Sequence, residues 1–192
     1  MVANIFEMSK VPLFDIMLRS AEHRLSKALG GACTVEVSHA LDKALKETVI
    51  AIDHERFRKD LRYTRKELDE HSRRPGFTCF VVALDGDPLA YDYGYDDEEP
   101  GTFYSDSAAT LIERKGVGST ISALEAMYCY GRGYKRVKLS TEERDDVGRA
   151  LRMFWERFGF TVISVDEDDN IVMTMELTQE TVAGLHDKYI AS

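Results

Sequence analysis

Thr102-Phe103-Tyr104-Ser105-Asp106-Ser107-Ala108-Ala109 opens the stretch that decides the fold, and Glu113-Arg114-Lys115-Gly116-Val117-Gly118-Ser119 follows it. The first run reads as a strand and the second as a glycine-bearing turn. Beyond the turn, Val117, Ile121, Leu124 and Tyr128 recur at the one-face spacing of a helix reaching Tyr130. The order is strand, turn, helix start. A helix start leaves its first N–H groups without partners and carries partial positive charge. Glycines there remove side chains that would keep an anion away. The turn is therefore expected to hold a phosphate-bearing ligand. It is not a P-loop, because Lys115 precedes Gly116, and not a dinucleotide fingerprint, because Ile121 stands where a third glycine belongs. A strand–helix turn without a ligand fits the same letters.

Upstream lie two more strands. Phe77–Ala83 is a near-continuous apolar run, as in a strand buried on both faces. Asp85-Gly86-Asp87 signals a hairpin turn, and Pro88–Tyr95 is the returning strand. With an acidic loop at 96–101 before Phe103, three strands form an antiparallel meander. Cys33–Val37 alternates as a short first strand. From Ser38 a helix carries Leu41, Leu45, Val49 and Ile52 on one face, breaking near Asp53-His54. A second helical stripe carries Phe57, Leu61, Thr64 and Leu68, with Arg56, Arg58, Lys59, Arg62, Arg65 and Lys66 on its outer side. Pro75 stops it. Residues 1–32 are expected to be a lead-in and one helix, ended by Gly30-Gly31.

Downstream, Gly131-Arg132-Gly133 caps the central helix and Arg136–Thr141 is a fifth strand. The crossover makes strands four and five parallel. Val147, Ala150, Leu151, Phe154 and Phe158 mark another helix, closed by Gly159. Phe160–Val165 and Ile171–Leu177 form a second hairpin around the acidic turn 166–170. Thr178 is a possible N-cap for a terminal helix over 178–192.

The 192 residues suit one domain over 1–192, with a helical extension (1–32), a core (33–177) and the C-terminal helix. A net charge of −9 disfavours nonspecific nucleic-acid binding and attracts cationic partners. Cys33, Cys79 and Cys129 are odd in number and far apart, as expected of reduced thiols in a cytoplasmic setting. The five histidines form no metal-ligand spacing, so no metal is expected. No run is apolar and long enough to span a bilayer.

Arg114-Lys115-Gly116-Val117-Gly118-Ser119 resembles the acyl-CoA pyrophosphate loop of the GNAT acetyltransferase superfamily, written Gln/Arg-x-x-Gly-x-Gly/Ala, with Glu113 in the Gln/Arg slot. Phe154-Trp155-Glu156-Arg157-Phe158-Gly159-Phe160 resembles the family's second signature, typically Phe-Tyr-Glu-Lys-x-Gly-Phe. The likeness covers about Cys33 to Leu177. It implies an α/β (α+β) fold: a mixed, mostly antiparallel sheet splayed between strands four and five, with helices on both faces. It also implies acetyl-CoA as co-substrate, its pantetheine arm along strand four. Ala108, Arg114, Lys115, Gly116, Val117, Gly118, Ser119 and Thr120 would bind it.

The implied reaction is attack of a primary amine on a thioester. A lysine-like amine has a pKa of about 10.4, so a base must take its proton. Asp106, Asp92 and Glu113 are candidates, with Asp106 favoured for its place on strand four just upstream of the turn. The family's thiolate-protonating tyrosine is replaced by Trp155, an indole that cannot serve; Tyr104, Ser140 or Thr141 would substitute, or the thiolate leaves unassisted. The acidic residues Asp166 to Asp169 point to a cationic small-molecule amine or a basic peptide as acceptor, or are a polar turn. Residues 1–32 offer a packing element or a homodimer contact. A catalytically silent acyl-CoA-binding domain, or an interaction protein without a cofactor, remains open beside the N-acetyltransferase.

Overall fold

The structure is a computed structural model that describes residues 10–166 and 170–191. Seven strands form one sheet: β1 (Cys33–Ser38), β2 (Thr78–Leu84), β3 (Asp87–Asp96), β4 (Thr102–Thr110), β5 (Arg136–Thr141), β6 (Thr161–Val165) and β7 (Ile171–Glu176). Their spatial order is β1-β2-β3-β4-β5-β7-β6. Every neighbouring pair is antiparallel except β4–β5, which is parallel. The final hairpin folds back so that its second strand, β7, adds to β5 and leaves β6 at the edge. Asp85 and Gly86 both have positive φ, the backbone a tight two-residue hairpin demands.

Helices cover both faces. The helices α1 (Lys10–Leu29), α4 (Val117–Arg132) and α6 (Gln179–Tyr189) pack together on one face, over a core that includes Phe80, Phe103, Ile121, Leu124 and Met173. On the other face α2 (Lys43–Arg56) and α3 (Arg65–His71) enclose Val49, Ile52, Leu68, Tyr91, Tyr93 and Tyr95. The short α5 (Leu151–Phe158) joins the first core through Phe158, whose ring stacks on Tyr189 at 5.0 Å.

Three helix boundaries differ from the periodicity. Ser38 belongs to β1, and α2 starts only after Asp42, whose carboxylate accepts from the Leu45 amide. Phe57 and Leu61 lie outside any α-helix: a single 3-10 turn (Lys59–Leu61) intervenes, and α3 begins after Thr64. There Thr64 and Glu67 cap each other's backbone, which fixes the start at Arg65 whatever the apolar stripe upstream suggests. Val147 is not on α5 but 71% exposed in the preceding loop, where Gly148 takes φ 81° and Asp145 accepts from the Arg149 amide.

The feature that shapes the functional region is a bulge. Tyr93 pairs with Ser107 and Gly94 with Ser105, so Asp106 is the extra residue on β4. The two strands approach so closely there that a Cβ on Gly94 would overlap the carbonyl oxygen of Tyr104 and the Phe103 ring. Gly94→Ala should therefore lower stability by about 1–3 kcal/mol, the usual cost of overpacking. A denaturant midpoint equal to wild type would contradict this.

Candidate active site

β4 and β5 pair only at Thr102–Tyr104 with Arg136–Lys138. Beyond Lys138 they separate. β5 continues on β7 alone, while Ser105–Thr110 of β4 keeps only its β3 neighbour. That stretch of β4 presents an unpaired backbone edge to a cleft, a template for an added extended ligand. The bulge bends β4 just where the cleft opens.

At the end of β4 the chain enters α4 through a left-handed turn. Arg114 has φ 58° and Gly116, the N-cap, φ 82°. Such alternation turns successive amides into one concavity, a fit for an oxyanion. No side chain caps the helix. No atom lies within 4 Å of a hypothetical Gly116 Cβ, and only Thr110 Cγ2, at 4.0 Å, approaches one on Gly118. The mouth is open. Thr120 departs from the expected set: its amide is bonded to the Gly116 carbonyl and its hydroxyl donates to Tyr189 O at 3.3 Å. Val117 contributes only backbone, its side chain being buried in the core.

Charge around the mouth is mostly positive. Arg114 and Lys115 are exposed and make no ion pair among the described residues. Glu113, in the slot where the resemblance expects Gln or Arg, is bridged by Arg56 from α2 and by Arg149 at 2.6 Å. Its hydrogen bond from Arg56 and the nearby Arg149 charge hold its carboxyl below the usual range. It serves there as the counter-ion of two guanidinium groups.

Asp106 points to the α2/α3 face, and its side chain is only 7% exposed. The Tyr63 hydroxyl donates to Oδ1 at 3.3 Å. His71 Nδ1 lies 3.1 Å from Oδ2, yet no donor is well aligned on that oxygen. The Tyr93 hydroxyl is 3.2 Å from the same His71 nitrogen. Burial, and next the negative charge of Asp106, push the Tyr63, Tyr93 and Tyr95 hydroxyls up and Tyr104 to about 12. All four hydroxyls stay protonated near one carboxylate. Tyr95 and Tyr104, with Arg74, Asp97, Glu98 and Lys138, line a recess of about 230 Å³. Because Tyr104 pairs with Lys138 at the last joined position, the recess marks the apex of the cleft.

The other expected residues fall in two groups. Ala108 sits on the free length of β4, and Ser140 is exposed on the separated length of β5. Asp92 is on the opposite face, fully buried against α4, with Ser122 donating to Oδ2 at 2.9 Å. Burial pushes its carboxyl up to about 6, and burial with the charge of Asp92 raises that of its neighbour Glu125 well above the usual range. It cannot meet an acceptor from the α2/α3 side. Trp155 packs edge-on against Phe154, Phe158 and Phe160 as an apolar wedge. Of the acidic turn, Glu167–Asp169 lies outside the described residues, as does the lead-in before Lys10. Sequence reading missed His71, Tyr63, Tyr93 and Tyr95. The alternation Tyr91-Asp92-Tyr93-Gly94-Tyr95 put three tyrosines on one face, and that was the available signal.

No protein-family model matches the sequence, and comparison with curated proteins returns no match. Solved structures do match. The ribosomal-protein-S18-alanine N-acetyltransferase of Escherichia coli is similar at 13% identity and TM-score 0.61, over 76% of this chain and 96% of its own. A Desulfovibrio desulfuricans protein described as a GNAT-family acetyltransferase is similar at 19% identity and TM-score 0.62, over 77% and 100%. The PaiA N-acetyltransferase of Thermoplasma acidophilum, solved in complex with coenzyme A, is similar at 12% identity and TM-score 0.56, over 74% and 99%. The fold is that of the GNAT acetyltransferases.

Proposed function

We propose that the chain is an acyl-CoA-dependent N-acyltransferase that moves an acetyl group from acetyl-CoA to a primary amine. One observation carries the reading: the sheet parts between β4 and β5, and the free length of β4 runs straight into an open, uncapped helix mouth. The amides of Val117, Gly118 and Ser119 fit a diphosphate, and charge-assisted bonds of that kind contribute about 1.5–3 kcal/mol each. Arg114 and Lys115 would add attraction that salt screens. The pantetheine arm would pair with Ser105–Ala108, bringing the thioester to the bulge. Acceptor amines would enter from the α2/α3 side, over the tyrosine recess.

In this reading the amine gives its proton to the group of side chains around Asp106. Tyr104, held protonated at the cleft apex, suits hydrogen bonding to the departing sulfur better than full proton transfer, since a thiol is the stronger acid. Ser140 flanks the same cleft. Three free, buried cysteines agree with a reducing, cytoplasmic setting.

Trp155 favours a second reading, an acyl-CoA-binding domain without turnover, because nothing of tyrosine's acidity stands in its place. Calorimetry with acetyl-CoA, paired with thiol release over an amine panel, tests both. Binding with turnover is the expected result. Binding without turnover on any amine supports the second reading, and no binding overturns both.

A further inference from the structure

The strongest unassigned feature is a histidine facing the bulge carboxylate. His71 ends α3, and Asp106 is the extra residue of β4; they come from elements distant in sequence. Nδ1 of His71 lies 3.1 Å from Asp106 Oδ2, without the alignment of a hydrogen bond, and 3.2 Å from the Tyr93 hydroxyl. No described residue hydrogen-bonds Nε2. The ring is held edge-on by Tyr63 at 4.9 Å and flanked by Tyr95 at 5.5 Å, the residue that lines the cleft-apex recess. Asp106 is enclosed at 7% exposure, whereas His71 retains 17%. A carboxylate this close to one ring nitrogen favours the proton on it, which leaves the other nitrogen with its lone pair, the arrangement of a base with its orienting group.

We propose that His71, through Nε2, takes the proton of the acceptor amine, and that Asp106 is its positioning residue, not the base itself. This rests on the acyltransferase reading. The amine lone pair forms the C–N bond at the thioester carbonyl carbon. The C–S pair leaves on sulfur as thiolate. The N–H bond breaks, its electrons stay on nitrogen and its proton moves to Nε2. The imidazolium, stabilised by Asp106, then returns that proton to the thiolate or to water. Asp106 keeps Nδ1 protonated throughout.

Two measurements on the full chain test this. In the free protein, ¹⁵N NMR of the imidazole is expected to show the Nδ1–H tautomer in wild type and loss of that preference in Asp106→Asn. An Nε2–H tautomer in wild type overturns the proposal. With acetyl-CoA and the fastest acceptor among spermidine, kanamycin, a lysine-containing basic peptide and glycine, His71→Gln is expected to lower kcat about 10²–10⁴-fold. Its KM for acetyl-CoA should be unchanged, and added imidazole should restore part of the rate. Wild-type kcat in His71→Gln, or a loss that imidazole leaves untouched, overturns it. Absence of acetyl-CoA binding in wild type would instead remove the acyltransferase reading, and the tautomer then decides whether the histidine–carboxylate pair is built as described.

Discussion

Gly118→Asp is expected to weaken acetyl-CoA binding at least ~100-fold, roughly 3 kcal/mol, without unfolding the protein. Gly118 is the second residue of α4, and its φ lies outside the left-handed region. A Cβ there meets nothing closer than Thr110 Cγ2 at 4.0 Å. The native fold therefore has room for a side chain. The helix dipole even favours a carboxylate in the first turn, by about 0.3–1 kcal/mol. That carboxylate would sit where the diphosphate is proposed to sit. It would take the free amides and repel the ligand, so two or three charge-assisted bonds are lost together. Gly118→Ala, which adds a methyl without charge, should cost far less. Calorimetry reads the affinity and thermal melting reads the fold. Wild-type affinity in Gly118→Asp would mean that the mouth holds no phosphate.

The second large effect concerns stability and pH. Asp92 and Glu125 are buried side by side between β3 and α4. Asp92 Oδ1 and Glu125 Oε1 have no donor directed at them. One proton shared between the carboxyls answers both, since an acid proton makes one of the pair a donor. Burial raises both acids, and for Glu125 the charge of Asp92 adds to it. The folded chain thus holds these protons to higher pH than the unfolded chain. The contribution to stability is complete in acid, below the unfolded values, and is lost as pH rises through the folded value of Asp92 at about 6. Stability should therefore fall as pH rises from about 4 through 6. Asp53, buried beside the Tyr91 hydroxyl, shifts in the same direction and adds to the slope. Replacing the pair by amides, Asp92→Asn with Glu125→Gln, should remove most of that slope in urea titrations. Equal slopes in both proteins would rule out a shared proton.

The strand order along the chain was legible because each strand carries its own local marks. Asp85-Gly86 at positive φ turns the first hairpin, and Gly116 and Gly133 bound α4 where the sequence placed its ends. The parting of β4 from β5 followed from the resemblance and agrees with a pairing of three residues. The boundaries that failed were those where a hydrogen-bonded cap overrides an apolar stripe. Thr64 with Glu67 spelled a capping box, yet Phe57 and Leu61 continued the periodicity and drew the helix too far upstream. Val147 likewise fitted the stripe of α5, and Gly148 in the left-handed region separates it.

Of the candidate site, the sequence marked the glycine turn and Asp106 but not what surrounds that carboxylate. The glycine turn is a local pattern, so it could be read. The surroundings of Asp106 are not local: a one-residue bulge against Gly94 decides which face the carboxylate meets, and only the fold brings His71 and Tyr63 to it. The Asp92–Glu125 pair was hidden for a related reason. Asp92 read as a candidate base on strand three and Glu125 carried no mark of its own, and Asp92 faces Ser122 and Glu125 only because α4 packs across that face.

Titrating ¹⁵N-labelled protein with coenzyme A, while following backbone amide shifts, shows whether the α4 mouth grips a diphosphate. Val117, Gly118 and Ser119 are expected to shift downfield first and furthest, as amides do on accepting a phosphate, with smaller changes along Ser105–Ala108. Saturable binding of coenzyme A that leaves those three amides unmoved would contradict that expectation.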